Sequence, residues 1–201
     1  PPPDGAWAQF PSFAKANGID INKVKVEPVG FPTREPMLAE GKVDSVTGFS
    51  FSSYLNLVRL GVPEEDISTI LMADHGLKLY GNAVIVNTDY AKNNSDMVKK
   101  FLVAIGAGWR DAIKDPKAAA AALVKRNPAA DAALEQRRLQ LAIDANVLTD
   151  YVKANGMGGV DSSRFAAAIE QLSETYEYKA APNAALYFTD EYLPASGISL
   201  N

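Results

Sequence analysis

Apolar positions in the first eighty-odd residues switch between two periods. Residues 6–17 set Trp7, Phe10, Phe13 and Ala14 three or four apart, which predicts a helix, and Gly18 stands where its C-terminal cap would fall. Val24-Lys25-Val26-Glu27-Pro28-Val29 alternates with period two and reads as a strand. A short helix is expected over 35–40, with Pro36 in its first turn and Gly41 ending it. Residues 43–47 read as a second strand, and 50–60 as a helix opened by Ser50 or Ser52 and stopped by Gly61. Further strands are expected at 67–72 and 83–86. Such alternation implies an α/β layer with a mostly parallel sheet.

The second half follows the helical period alone. Asn94-Ser95-Asp96 opens a helix that carries Met97, Phe101, Ile105, Trp109 and Ile113 along one face. Asp115-Pro116 signals the next, which Asn127-Pro128 closes; 132–148 is helical again. Asp161-Ser162-Ser163 starts a last helix with Phe165, Ile169, Leu172 and Tyr176 on its face. Beyond it, Pro182, Tyr187-Phe188 and Tyr192-Leu193-Pro194 predict an irregular tail. The change of character falls near 87–95, and no internal repeat is visible.

Composition then removes whole classes of function. The 201 residues are 47% hydrophobic and 22% charged, which is ordinary for a chain that buries a core. Net charge is −4 and the basic residues are scattered, so no nucleic-acid partner is expected. There is no cysteine, hence no disulfide, thiol chemistry or thiolate zinc site. The single histidine, His75, leaves no paired-histidine metal motif. No apolar run approaches the roughly 18 residues of a membrane span.

Four places could carry chemistry. In Asp4-Gly5-Ala6-Trp7, small residues open a helix whose free N–H groups suit an anion or carbonyl, and Trp7 offers a flat face; Trp7 is equally a core residue. Arg34 at a helix start either meets a ligand carboxylate or phosphate, or pairs with a neighbouring acid such as Glu35. Gly48-Phe49-Ser50-Phe51-Ser52 follows an expected strand and opens a helix, the position at which open α/β sheets bind ligands. Tyr80 lies in the glycine-bounded segment 75–82, which reads as a hinge or loop.

The run Arg34-Glu35-Pro36-Met37-Leu38-Ala39-Glu40-Gly41-Lys42-Val43-Asp44-Ser45-Val46-Thr47-Gly48-Phe49 resembles a segment of the nitrate/taurine/sulfonate-type ABC substrate-binding proteins, the group that also holds binders of thiamine-pyrimidine precursors. Phe13-Ala14-Lys15-Ala16-Asn17-Gly18, Ser53-Tyr54-Leu55-Asn56-Leu57 and Tyr80-Gly81-Asn82-Ala83 extend the likeness along nearly the whole chain. The resemblance implies an α/β, type II periplasmic-binding fold: two lobes joined by crossing strands, with a ligand in the cleft between them. On that reading 1–82 is most of the second lobe and 83–201 a mainly helical return to the first, which is incomplete here. A lobe without its central strands exposes a large apolar face.

Carried over by position, the resemblance makes Asp4, Gly5, Ala6, Trp7, Gly48, Phe49, Ser50, Phe51 and Ser52 cleft-lining, with Arg34 and Tyr80 as further ligand contacts. The sulfonate and taurine binders usually show a tryptophan-containing, proline-ended segment where this chain has Gly48-Phe49-Ser50-Phe51, so the aromatic supply here suits a flat ring better. The function implied is an extracytoplasmic solute-binding protein, free or lipid-anchored. It would work as a monomer without a cofactor and deliver a small molecule to an ABC permease. The rivals are a thiamine-pyrimidine-synthase-like enzyme, which calls for a cysteine-rich motif absent here, and the ligand-sensing domain of a signalling protein.

Overall fold

The computed structural model describes residues 5–180 and 182–200. Nine α-helices run in order among the described residues: α1 (Gly5–Ala16), α2 (Phe31–Ala39), α3 (Ser50–Arg59), α4 (Thr88–Asn93), α5 (Ser95–Lys114), α6 (Pro116–Arg126), α7 (Ala132–Ala142), α8 (Asp150–Asn155) and α9 (Ser162–Ser173). A π-helical turn at Ile143–Val147 prolongs α7. Several boundaries follow local chemistry. The Asp115 carboxylate accepts from the Ala118 N–H and Pro116 occupies the first turn of α6, while Asp131 caps α7 through the Leu134 N–H. Gly18, at φ 66°, ends α1 as Ile19 N–H donates back to the Ala14 carbonyl.

The expected α/β sheet is overturned. No strand occurs among the described residues, whose one β-pairing is an isolated antiparallel bridge between Met157 and Ile198. The type II periplasmic-binding architecture, which needs a sheet in each lobe, is not the fold of this chain. Residues 24–29, 45–47, 67–71 and 80–86 run without helix or ladder partner. The reason is that a period-two pattern marks two unlike faces of an extended segment and does not supply its neighbour. Here Val26, Ile70, Val84 and Ile85 stay largely exposed, and Ile85 is 92% so. One helix start shifts, and one expected serine cap does not form. α2 begins at Phe31, with Pro32 in its first turn and Pro36 inside it, and α3 is preceded by Phe49, with no side-chain cap.

The chain divides into two compact units. The first takes Pro1–Tyr80 and Ser162–Pro182, the second Gly81–Asp161 and Asn183–Asn201. In the first unit α2 lies against α3, and Ala14, Leu55, Leu57, Leu77 and Ala168 are its buried apolar residues. α1 is fastened by polar groups: Ser12 Oγ to Thr175 Oγ1 at 2.8 Å, Lys15 Nζ to Glu174 at 2.8 Å, and the Tyr176 hydroxyl, which donates to the Ala8 carbonyl.

α9 holds the 76–80 segment through side chains that act where a neighbouring strand would. Gln171 donates to the Gly76 carbonyl and accepts from the Lys78 N–H, both at 2.8 Å. Arg164 donates to the carbonyls of Lys78 and Leu79, each at 3.0 Å. These bonds satisfy main-chain groups that an unpaired extended segment would otherwise leave to water.

In the second unit α6 packs on α5 and α7, and the tail closes onto α5 and α8. Met157 and Ile198 exchange N–H···O bonds of 2.8 and 2.9 Å, and Arg110 donates to the Ser199 carbonyl at 2.8 Å. Gly106 is buried, and a Cβ there would overlap Cγ2 of Ile198, a branched atom with no rotamer to retreat into. Gly106→Ala is therefore expected to destabilise by about 1–3 kcal/mol through overpacking. Gly108→Ala, with open space around it, should be neutral or up to about 1 kcal/mol stabilising. Urea unfolding of the two variants side by side checks the contrast, and equal midpoints would remove the Ile198 lock.

Candidate functional site

The best-formed polar cluster of the first unit lies where α2 meets the start of α3. Gly30 is extended before Phe31, and Pro32 fixes the first turn of α2, so that Arg34 and Glu35 follow one turn later. Gly41, at φ 68°, closes the helix, with Lys42 N–H donating to the Met37 carbonyl. The chain then passes through bends at 42–44 and 48 to an extended Phe49, whose carbonyl accepts from the N–H groups of Ser52 and Ser53 in the first turn of α3.

These turns bring Arg34, Glu35 and Ser53 together. Arg34 donates from Nε and Nη2 to Oε1 of Glu35, at 3.1 and 2.7 Å. The Ser53 hydroxyl donates to the same oxygen at 2.7 Å and accepts from Arg34 Nη2 at 3.1 Å. Both charged side chains are largely out of water, Arg34 at 11% exposure and Glu35 at 3%. Burial pushes the Glu35 carboxyl upward; the hydrogen bonds from Arg34 and Ser53, together with the Arg34 charge, outweigh it and hold the group below the usual glutamate range.

One aromatic ring stands beside the pair. Phe31 lies under the guanidinium, with Cζ 5.5 Å from the ring centroid. Phe49 and Phe51 stack at 5.3 Å and 15°, and Phe49 is 48% exposed, so the pair presents a ring to solvent. Gly48 covers the cluster from the loop side: a Cβ there would overlap Ser53 Oγ and sit 3.0 Å from Arg34 Nη2. The close approach of backbone to the ion pair is what requires glycine.

The other expected site residues fall elsewhere in the same unit. Gly5, Ala6 and Trp7 form the first turn of α1, where Trp7 is half-buried and stacks on Phe10 at 5.2 Å; Asp4 lies outside the described residues. Ser50 and Ser52 are partly buried in the first turn of α3. Tyr80 stacks under Arg164, 4.5 Å from Cζ to ring centroid, and tilts against Phe165 at 6.2 Å. His75 meets the Phe13 ring edge-on at 6.3 Å, and its carbonyl accepts from Asn17.

Beside Tyr80 an open recess of about 390 Å³ is lined by Ala73, Leu77, Lys78, Ser163, Arg164 and Ala167. It is separate in composition from the Arg34 cluster. Glu35 and Ser53 were outside the expected set, although the Arg34-Glu35 doublet itself offered an ion pair. Arg164 and Gln171 carried no sequence signal, because their partners lie 85 to 95 residues away. No group of three His, Cys, Asp or Glu among the described residues is arranged to hold a metal ion. No helix among them is long and apolar enough to cross a membrane.

The family model described as NMT1/THI5 like matches residues 4–119, more than half the chain and the whole stretch from α1 through α5. The chain belongs to the NMT1/THI5-like family, which takes in small-molecule-binding proteins and synthases of the THI5 type. No curated protein matches it.

The pairing predicts a specific acid dependence. A carboxyl held below its unfolded value contributes stability that is complete above the ordinary glutamate range, about pH 5, and is lost as pH falls through the lower folded value. Glu35→Gln should lack that part of the acid limb in urea unfolding followed from about pH 6 down to pH 3. Ser53→Ala should cost about 1–3 kcal/mol at neutral pH by removing a partner from a buried charge.

Proposed function

We propose that the chain is an extracytoplasmic solute-binding protein that captures a small molecule for an ABC importer, using the face formed by Phe49, Phe51 and the Arg34 cluster. The observation that carries this reading is membership of the NMT1/THI5-like family over residues 4–119. The local chemistry supports it. The stacked pair of Phe49 and Phe51, with Phe49 half exposed, suits a flat ligand, and aromatic stacking of that kind adds about 0.5–1.5 kcal/mol per ring beyond burial. The absence of cysteine and the single histidine weigh toward a binder rather than a synthase. The remaining expected contacts, Gly5, Ala6, Trp7, Ser50, Ser52 and Tyr80, are secondary in this proposal. The protein would act as a monomer, without a cofactor, and present its loaded form to a permease.

The test is thermal melting against nitrate, taurine, nicotinamide and a substituted pyrimidine. One compound should raise Tm saturably, by an amount equivalent to about 2.7 kcal/mol at a hundredfold excess over Kd. Phe49→Ala should weaken that ligand at least tenfold. Turnover of any of these compounds without stabilisation would overturn the binding reading.

A further inference from the structure

We propose that residues 81–87 are a docking strand: they pair with one extended stretch of a second polypeptide, apolar through its middle and basic at its amino end.

The main chain decides what kind of partner fits. From Gly81 to Asn87 the chain makes no helix, turn or bend, and it enters α4 with Asn87 in the extended region. No main-chain hydrogen bond of residues 81–86 is found among the described residues. Their N–H and C=O groups therefore stand open along both edges, a pattern that another extended main chain matches along its length. All of these residues belong to the second unit.

The side chains decide the middle of the partner. No charged residue falls between Leu79 and Thr88, and residues 83–86 read Ala-Val-Ile-Val, a composition that favours a strand. Val84 is 55% exposed and Ile85 92%. Edges that stay free in water are commonly blunted by lysine or proline, and neither occurs in 81–87.

Charge decides the ends. Asp89 follows two residues past Asn87, its N–H bonded to the Asn87 side chain at 3.0 Å. The Asp89 carboxylate has no partner among the described residues. Antiparallel addition, the slightly more stable arrangement, lays the amino end of the incoming strand beside this carboxylate, where lysine or arginine is matched and glutamate repelled. A second copy of the chain is the poorer occupant. It would set one net charge of −4 against another for a single shared strand, well short of the roughly 1,200 Å² of a stable interface.

The probe is the acetylated peptide Lys-Val-Thr-Val-Thr-Val with a fluorophore at its carboxyl end, titrated into the full chain and followed by anisotropy. Two further peptides are compared with it: one N-methylated at every valine and threonine, and one with glutamate in place of lysine. The variants are Ile85→Lys and Asp89→Asn, with circular dichroism as the check on folding. Sedimentation of the chain alone over a range of concentrations reads self-association.

The expected result is saturable binding of the first peptide, weakened at least tenfold by N-methylation and by Ile85→Lys. The glutamate peptide should bind about threefold more weakly to wild type, and Asp89→Asn should remove that difference. The chain alone should keep one mass throughout. Absence of saturable binding to wild type overturns the proposal, as does equal binding of the N-methylated peptide, which would mark an apolar patch and no strand. The N-methylated peptide is read on wild type, so it decides even where Ile85→Lys fails to fold. Unchanged binding to a folded Ile85→Lys, or equal binding of the lysine and glutamate peptides, overturns it too. A dimer of the chain alone that Ile85→Lys abolishes would make a second copy the occupant and overturn it as well.

Discussion

A guanidinium that is nine-tenths out of water must find its counter-charge within reach, and Arg34 finds it one residue along the chain. The local architecture of the first unit follows from that requirement. Arg34 and Glu35 bond each other directly, and Ser53, in the first turn of α3, meets both side chains. Its position fixes how α2 approaches α3, and it forces the intervening loop to cross as glycine at 48. Breaking a buried pair by removing one partner commonly costs about 3–5 kcal/mol, whereas the intact pair adds little net stability. The cluster is better understood as specifying an arrangement than as supplying bulk stability.

Elsewhere the structure depends on side chains doing the work of a sheet. Few apolar residues are deeply buried in either unit, and among the described residues Leu55 is the one large side chain that is fully so. Extended segments are held instead by single polar residues. Gln171 supplies both a donor and an acceptor to one stretch of main chain, as a neighbouring strand would, and Arg164 adds two further bonds while stacking on Tyr80. Such fastening is specific to a few points, and it leaves Ile70, Val84 and Ile85 largely exposed.

The helical content was legible in the sequence wherever a cap and a period coincided. Asp115-Pro116 and Gly18 each mark a real boundary, because capping is decided within four residues of chain. The expected strands did not form, since alternation of the kind in Val24-Lys25-Val26 reports what a segment wants to pair with and is silent on whether a partner exists. The stripe on α5 shows the same limit: Met97 and Phe101 obey the helical period and yet are both more than half exposed. At the site, the neighbouring charges Arg34 and Glu35 were open to two readings, ligand contact or internal pair. Ser53, which joins them, lies 18 and 19 residues on, and only the fold could bring it there.

The lock between Gly106 and Ile198 ties a position in the middle of α5 to one near the end of the chain. Neither residue can change freely while the other stays. A larger residue at 106 becomes acceptable only in a chain that already carries a smaller one at 198, so the order of substitutions matters and the reverse path is closed. In a set of related sequences the two columns should therefore drift together, with small-large pairs exchanged for their converse, although no local pattern in either segment hints at the other.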